Sequence, residues 1–90
     1  MNGAEEWRPK VVDGLLTRVV DDDLVVLDRQ NEQIHRLNAL SAFIVDQCDG
    51  TRSEQAIIDA IVERYDVERP VAATDAEAII VQLRTLGILV

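Results

Sequence analysis

Leu15-Leu16-Thr17-Arg18-Val19-Val20-Asp21-Asp22-Asp23-Leu24-Val25-Val26-Leu27-Asp28-Arg29-Gln30-Asn31-Glu32-Gln33-Ile34-His35-Arg36-Leu37 is the stretch that decides the fold. Its apolar runs are short and rich in β-branched residues, a length that suits strands better than helices. The three aspartates at 21–23 break the first run from the second. Residues 29–32 are polar, and Asn31 can take the positive φ that a tight turn often demands. Three short strands joined by short polar turns read as an antiparallel meander, with Gln33–Leu37 as the third strand.

Beyond Leu37 the apolar period changes from two to about 3.6. Asn38 or Ser41 can cap a helix carrying Leu40, Phe43, Ile44 and Cys48, and Asp49-Gly50 ends it, with Gly50 placed for a left-handed C-terminal cap. A second helix is capped by Thr51, which has Glu54 at capping-box spacing, or equally by Ser53. Its stripe is Ile57, Ile58, Ile61, Val62 and Tyr65, read as core. Residues 66–73 contain Pro70 and read as a connecting loop. Thr74 with Glu77 then opens a third helix bearing Ile79, Ile80, Leu83 and Leu86, stopped by Gly87. The apolar tail at 88–90 must pack somewhere.

The predicted order is βββααα. A three-stranded antiparallel sheet has one apolar face to cover, and three amphipathic helices cover it, giving a small α+β domain of winged-helix type. Residues 1–14 read as a flexible N-terminal arm and 15–90 as the domain. Within the arm, Trp7 either folds back onto the body or is taken up by a partner.

The chain has 90 residues, room for one domain. Apolar residues make up 48% and charged residues 29%, which fits a packed domain better than disorder. There are 9 basic and 17 acidic residues, a net charge of −8. The excess is spread over both halves, since residues 1–45 hold 5 basic against 8 acidic and 46–90 hold 4 against 9. Nucleic-acid binding needs Lys and Arg to displace phosphate counterions, so DNA or RNA is not expected as the partner. No apolar run is long enough to span a bilayer, and Met1-Asn2-Gly3-Ala4-Glu5-Glu6 lacks the basic start and apolar stretch of a signal peptide. With Cys48 the only cysteine, no intrachain disulfide forms, and a cytoplasmic location is expected. One histidine and one cysteine far apart make no zinc-finger spacing, and no phosphate loop or Gly-x-Ser-x-Gly occurs. No catalytic residue, metal site or cofactor is assigned.

Leu37-Asn38, Ala42, Ile44, Cys48-Asp49-Gly50-Thr51-Arg52-Ser53 and Ile57, followed by Asp75-Ala76, Leu83 and Leu86-Gly87-Ile88-Leu89, stand in an order that resembles the PqqD-like family. These proteins are peptide chaperones, or recognition elements, for ribosomally made and post-translationally modified peptides. The resemblance covers most of the chain. Where the protein that names the family has a Pro-Glu-containing segment, this chain has Leu37-Asn38, so it is more similar to the broader members, including leader-binding proteins of lasso-peptide pathways. The resemblance implies three strands followed by three helices. It further implies that the leader of a precursor peptide adds as a fourth strand beside the third, along a groove walled by the third helix. The domain then presents the precursor to a modifying enzyme, a radical S-adenosylmethionine maturase or a leader protease. The matching positions are Gln33, Ile34, His35, Arg36 and Leu37 on the strand and Ile79, Leu83 and Leu86 on the helix.

The residues suit that chemistry. An uncovered sheet edge invites another strand, and proteins blunt such edges with Pro or repeated Lys. Gln33–Leu37 has neither. Arg29, His35 and Arg36 outnumber Glu32 there, so an acidic leader can be steered to a locally positive edge. Cys48 reads as a small core residue, His35 as an exposed strand residue, and residues 21–23 as a solvated turn. Two other functions fit the fold: a winged-helix DNA-binding regulator, and a small subunit docking on a folded enzyme. Against the first, the third helix opens with Asp75 and Glu77, where a recognition helix needs basic or amide side chains.

Overall fold

Asp21 has a φ of 57° at the first position of a two-residue turn, the backbone shape whose twist matches paired antiparallel strands. It joins β1 (Leu16–Val20) to β2 (Asp23–Asp28), and a polar turn joins β2 to β3 (Gln33–Leu37). In that second turn the positive φ, 54°, falls on Glu32 and not on Asn31. Asn31 instead donates twice to Asp28, its backbone N–H to Oδ1 at 3.2 Å and its Nδ2 to Oδ2 at 2.8 Å. These hydrogen bonds hold the Asp28 carboxyl below its ordinary pKa of 3.8. The computed structural model describes residues 6–90, and within them the sheet is antiparallel with order β1-β2-β3.

Three helices follow, α1 (Ala39–Gln47), α2 (Glu54–Tyr65) and α3 (Arg69–Thr85), so the fold is α+β and βββααα as expected. Asn38 caps α1, accepting from the Ser41 N–H at 2.9 Å. Ser53 caps α2, accepting from the Ala56 N–H at 3.1 Å. Thr51 donates instead to the Asp49 carboxylate, which settles the choice between the two. α1 ends at Gln47 with Cys48 as its C-cap, so Gly50, although its φ is 85°, lies beyond the helix end. It turns the chain toward α2.

α3 begins five residues before the expected Thr74. Pro70 occupies its first turn, where a missing N–H costs nothing because those donors have no partner inside the helix. The loop expected at 66–73 shrinks to a turn in which Asp66 is left-handed, with φ 50°. Thr74 lies inside the helix and donates its hydroxyl to the Pro70 carbonyl at 2.9 Å. At the other end Gly87, φ 79°, makes a Schellman cap. Its N–H donates to the Arg84 carbonyl, that of Ile88 to Leu83, and the side chains of Ile88 and Leu83 are both buried.

The core lies between the sheet and the helices, around Val26, Ile44, Ile57, Ile61, Ile80 and Leu83. Tyr65 does not join it, being 40% exposed and set edge-on against Phe43 at 5.7 Å. Cys48 does, at 3% exposure, and burial pushes its thiol up to about 11.

The expected arm is held in place wherever it falls within the described residues; residues 1–5 lie outside them. Trp7 folds back, its Nε1 donating to the Val90 carbonyl at 3.2 Å and its ring stacked under Arg84. From Pro9 the backbone runs between two neighbours. Val11 N–H donates to the Cys48 carbonyl and Gly50 N–H to that of Pro9, while Val12 N–H donates to Ile88.

Candidate functional site

The register of the sheet fixes which backbone groups face out. A two-residue hairpin closes on a hydrogen-bonded pair, here Val20 and Asp23. Alternation then makes Arg18–Val25 and Leu16–Leu27 the other bonded pairs of β1 and β2. On β2 the remaining residues, Leu24, Val26 and Asp28, turn toward β3 and meet Leu37, His35 and Gln33. The N–H and C=O groups of Ile34 and Arg36 therefore point away from the sheet. Among the described residues no backbone hydrogen bond from another segment reaches β3. The edge is open.

Side chains alternate as well. Gln33, His35 and Leu37 share a face with buried Val26, the face toward the helices. Ile34 and Arg36 lie on the opposite face, where Ile34 is 71% exposed. Arg36 is engaged: its Nε donates to Asp23 at 2.7 Å and its guanidinium lies 3.9 Å from Asp21. The locally positive edge expected from Arg29, His35 and Arg36 is thus partly neutralised. His35 is half-buried, not exposed, and its Nε2 is buried without a hydrogen-bond partner.

The three α3 positions differ. Leu83 is 1% exposed and belongs to the core together with Leu37, so neither offers much surface. Ile79 and Leu86 are half-buried against that core and keep apolar surface free. The alternation of β3 could not be read from sequence, because its exposed Ile34 is apolar and its inward His35 is polar.

Cys48 is buried, and burial keeps its thiol protonated, with the pKa pushed up to about 11. Among the described residues no group of three or more His, Cys, Asp or Glu side chains is placed to hold a metal, and no helix is long and apolar enough to cross a membrane. The earlier start of α3 puts Arg69 in its first turn, yet Arg69 is tied to Asp59 and to Gln55 of α2. Nothing at that helix start resembles a base-reading surface.

The family model of coenzyme PQQ synthesis protein D (PqqD) matches residues 23–89. The chain belongs to the PqqD family. The span shared with PqqD contains β2, β3 and all three helices, and leaves β1 and the N-terminal arm before it. Two solved structures are similar. TbiB1, in complex with the TbiA(beta) leader peptide, is 26% identical with a TM-score of 0.78, covering 89% of this chain and 93% of its own. A lasso peptide synthetase B1 complexed with the leader peptide has the same fold, at 23% identity and a TM-score of 0.79, covering 92% of this chain and 98% of its own. No curated protein matches the sequence.

Proposed function

We propose that this PqqD-family domain binds the leader region of a ribosomally synthesised precursor peptide, which adds as a fourth strand to the free edge of β3. The observation that carries this reading is the outward-facing backbone of Ile34 and Arg36, which no backbone hydrogen bond from another segment reaches among the described residues. The solved complexes of similar proteins with leader peptides support it. The domain does no chemistry itself and presents the peptide to a modifying enzyme, a radical S-adenosylmethionine maturase or a leader protease, in the cytoplasm.

Strand addition draws affinity from main-chain hydrogen bonds and selectivity from pockets for alternate side chains. Four such bonds, an N–H and a C=O from each of Ile34 and Arg36, contribute roughly 2–6 kcal/mol at 0.5–1.5 each. Micromolar binding requires about 8 kcal/mol, so apolar contacts supply the rest. Of the three α3 positions expected at the groove, Ile79 and Leu86 keep apolar surface for that purpose, while Leu83, like Leu37, lies in the core.

Calorimetry with the leader peptide encoded beside this gene tests the reading. Saturable binding in the micromolar range is expected. No binding at high micromolar concentration to any locally encoded leader contradicts it.

A further inference from the structure

β1 leaves the opposite edge of the sheet open as well, and its surroundings are unlike those of β3. By the same alternation, the N–H and C=O groups of Thr17 and Val19 point outward, and among the described residues no backbone group from another segment meets them. Thr17 and Val19 also project their side chains toward the helix layer, where an apolar residue is normally covered. Val19 is nevertheless 71% exposed. The cause is a cleft of about 810 Å³ between β1 and α1, walled by Leu24, Ala42, Phe43 and Tyr65. Its lining is acidic on balance: Asp21 and Asp22 on the hairpin and Asp46 on α1 stand against Arg64, with Arg36 lying 3.9 Å from Asp21 on its other side.

We infer that this cleft is a second strand-accepting site, taking an extended segment of a partner protein that is apolar at alternate positions and flanked by Lys or Arg. Three features specify that occupant. The unpaired edge takes a backbone, the apolar walls take every second side chain, and the carboxylates select basic flanks. The inference deepens the reading above by giving the modifying enzyme a docking place of its own, across the sheet from the leader. A domain that holds peptide on one edge and enzyme on the other brings the two together by connectivity alone.

The test uses the whole chain and a fluorescein-labelled synthetic peptide, Lys-Lys-Val-Thr-Val-Thr-Val-Lys-Lys, followed by anisotropy at low salt. Controls replace the flanks with Glu or the centre with Gly-Ser repeats. Saturable binding is expected, at least about tenfold tighter than for either control, because charge and apolar contact both contribute. Val19→Pro removes one outward N–H without touching the β1–β2 ladder and weakens binding about tenfold or more. Tyr65→Ser, at a partly exposed wall position, weakens it in the same direction should Val19→Pro fail to fold. Ile34→Pro leaves it within about twofold, so failure here is distinguishable from failure of leader binding at β3. Absence of saturation overturns the inference, as does equal binding of the Gly-Ser peptide. So does loss of binding in Ile34→Pro in place of Val19→Pro, or sedimentation showing that a second copy of the chain fills the cleft.

Discussion

Lys10 and Val90 hydrogen-bond each other's backbones in both directions, Lys10 N–H to the Val90 carbonyl at 3.3 Å and Val90 N–H to the Lys10 carbonyl at 2.9 Å. These are the segments most able to fold over a sheet edge and seal it. They use their hydrogen-bonding groups on one another, and Trp7 adds a side-chain bond to the same carbonyl. Among the described residues, this pairing leaves β3 without a covering strand.

Trp7→Ala removes that bond, the stacking on Arg84 and a half-buried ring. We expect a loss of about 1–3 kcal/mol in stability, below the full cost of deleting a buried aromatic. Leader affinity should stay within about threefold, since Trp7 bonds to Val90 and stacks on Arg84 and makes no hydrogen bond to β3. Urea denaturation and calorimetry on the same variant check both halves.

Proline separates the two parities of β3. Ile34→Pro should fold and lose leader binding, because the lost N–H faces outward. His35→Pro should unfold the domain, because that N–H belongs to the ladder with Val26. Circular dichroism with calorimetry distinguishes them, and the opposite pattern would mean that β3 pairs in the other phase.

The unpartnered Nε2 of His35 is a cost to the free protein. A buried polar group left unsatisfied costs about 1–3 kcal/mol. His35→Phe, similar in shape and without that atom, should raise the melting temperature by about 4–8 °C if about 1 kcal/mol is recovered. Thermal unfolding is the measurement, and a fall in melting temperature would show that the imidazole is satisfied.

Acid should destabilise the domain through two carboxylates, Asp28, which is buried, and Asp49, which is exposed. Asp28 is held below 3.8 by Asn31, and Asp49 by the hydroxyl and N–H of Thr51. A folded-state pKa below the unfolded value means that the stabilisation is complete above pH 3.8. It is lost as pH falls through 3.8 toward the folded values. In Asn31→Ala the Asp28 titration, followed by carboxyl NMR, should move up toward 3.8, and no movement would remove the assigned cause.

Much of this was legible in the sequence, for local reasons. The bounds of β3 follow from a polar turn on one side and the Asn38 cap on the other, both short-range signals. The start of α3 was missed because Pro70 reads as a breaker, although proline in a first turn loses no hydrogen bond. Tyr65 falls on the apolar stripe of α2 but at its last residue, where the helix outruns the core. The inverted pattern of exposed Ile34 and inward His35 defeats any alternation argument. Such a conflict between pattern and placement is expected where a surface is kept for a partner. The β1 cleft was invisible, because it depends on how far α1 sits from β1 and no periodicity encodes that distance.

The most direct measurement of the central claim is amide hydrogen exchange, residue by residue along β3, with and without leader peptide. In the free protein, His35 and Leu37 should be protected by β2, while Ile34 and Arg36 exchange freely. Leader binding should slow Ile34 and Arg36 and leave Thr17 and Val19 on β1 unchanged. Protection of Ile34 and Arg36 already present in the free protein, or leader binding that leaves them exchanging freely, would contradict strand addition at this edge.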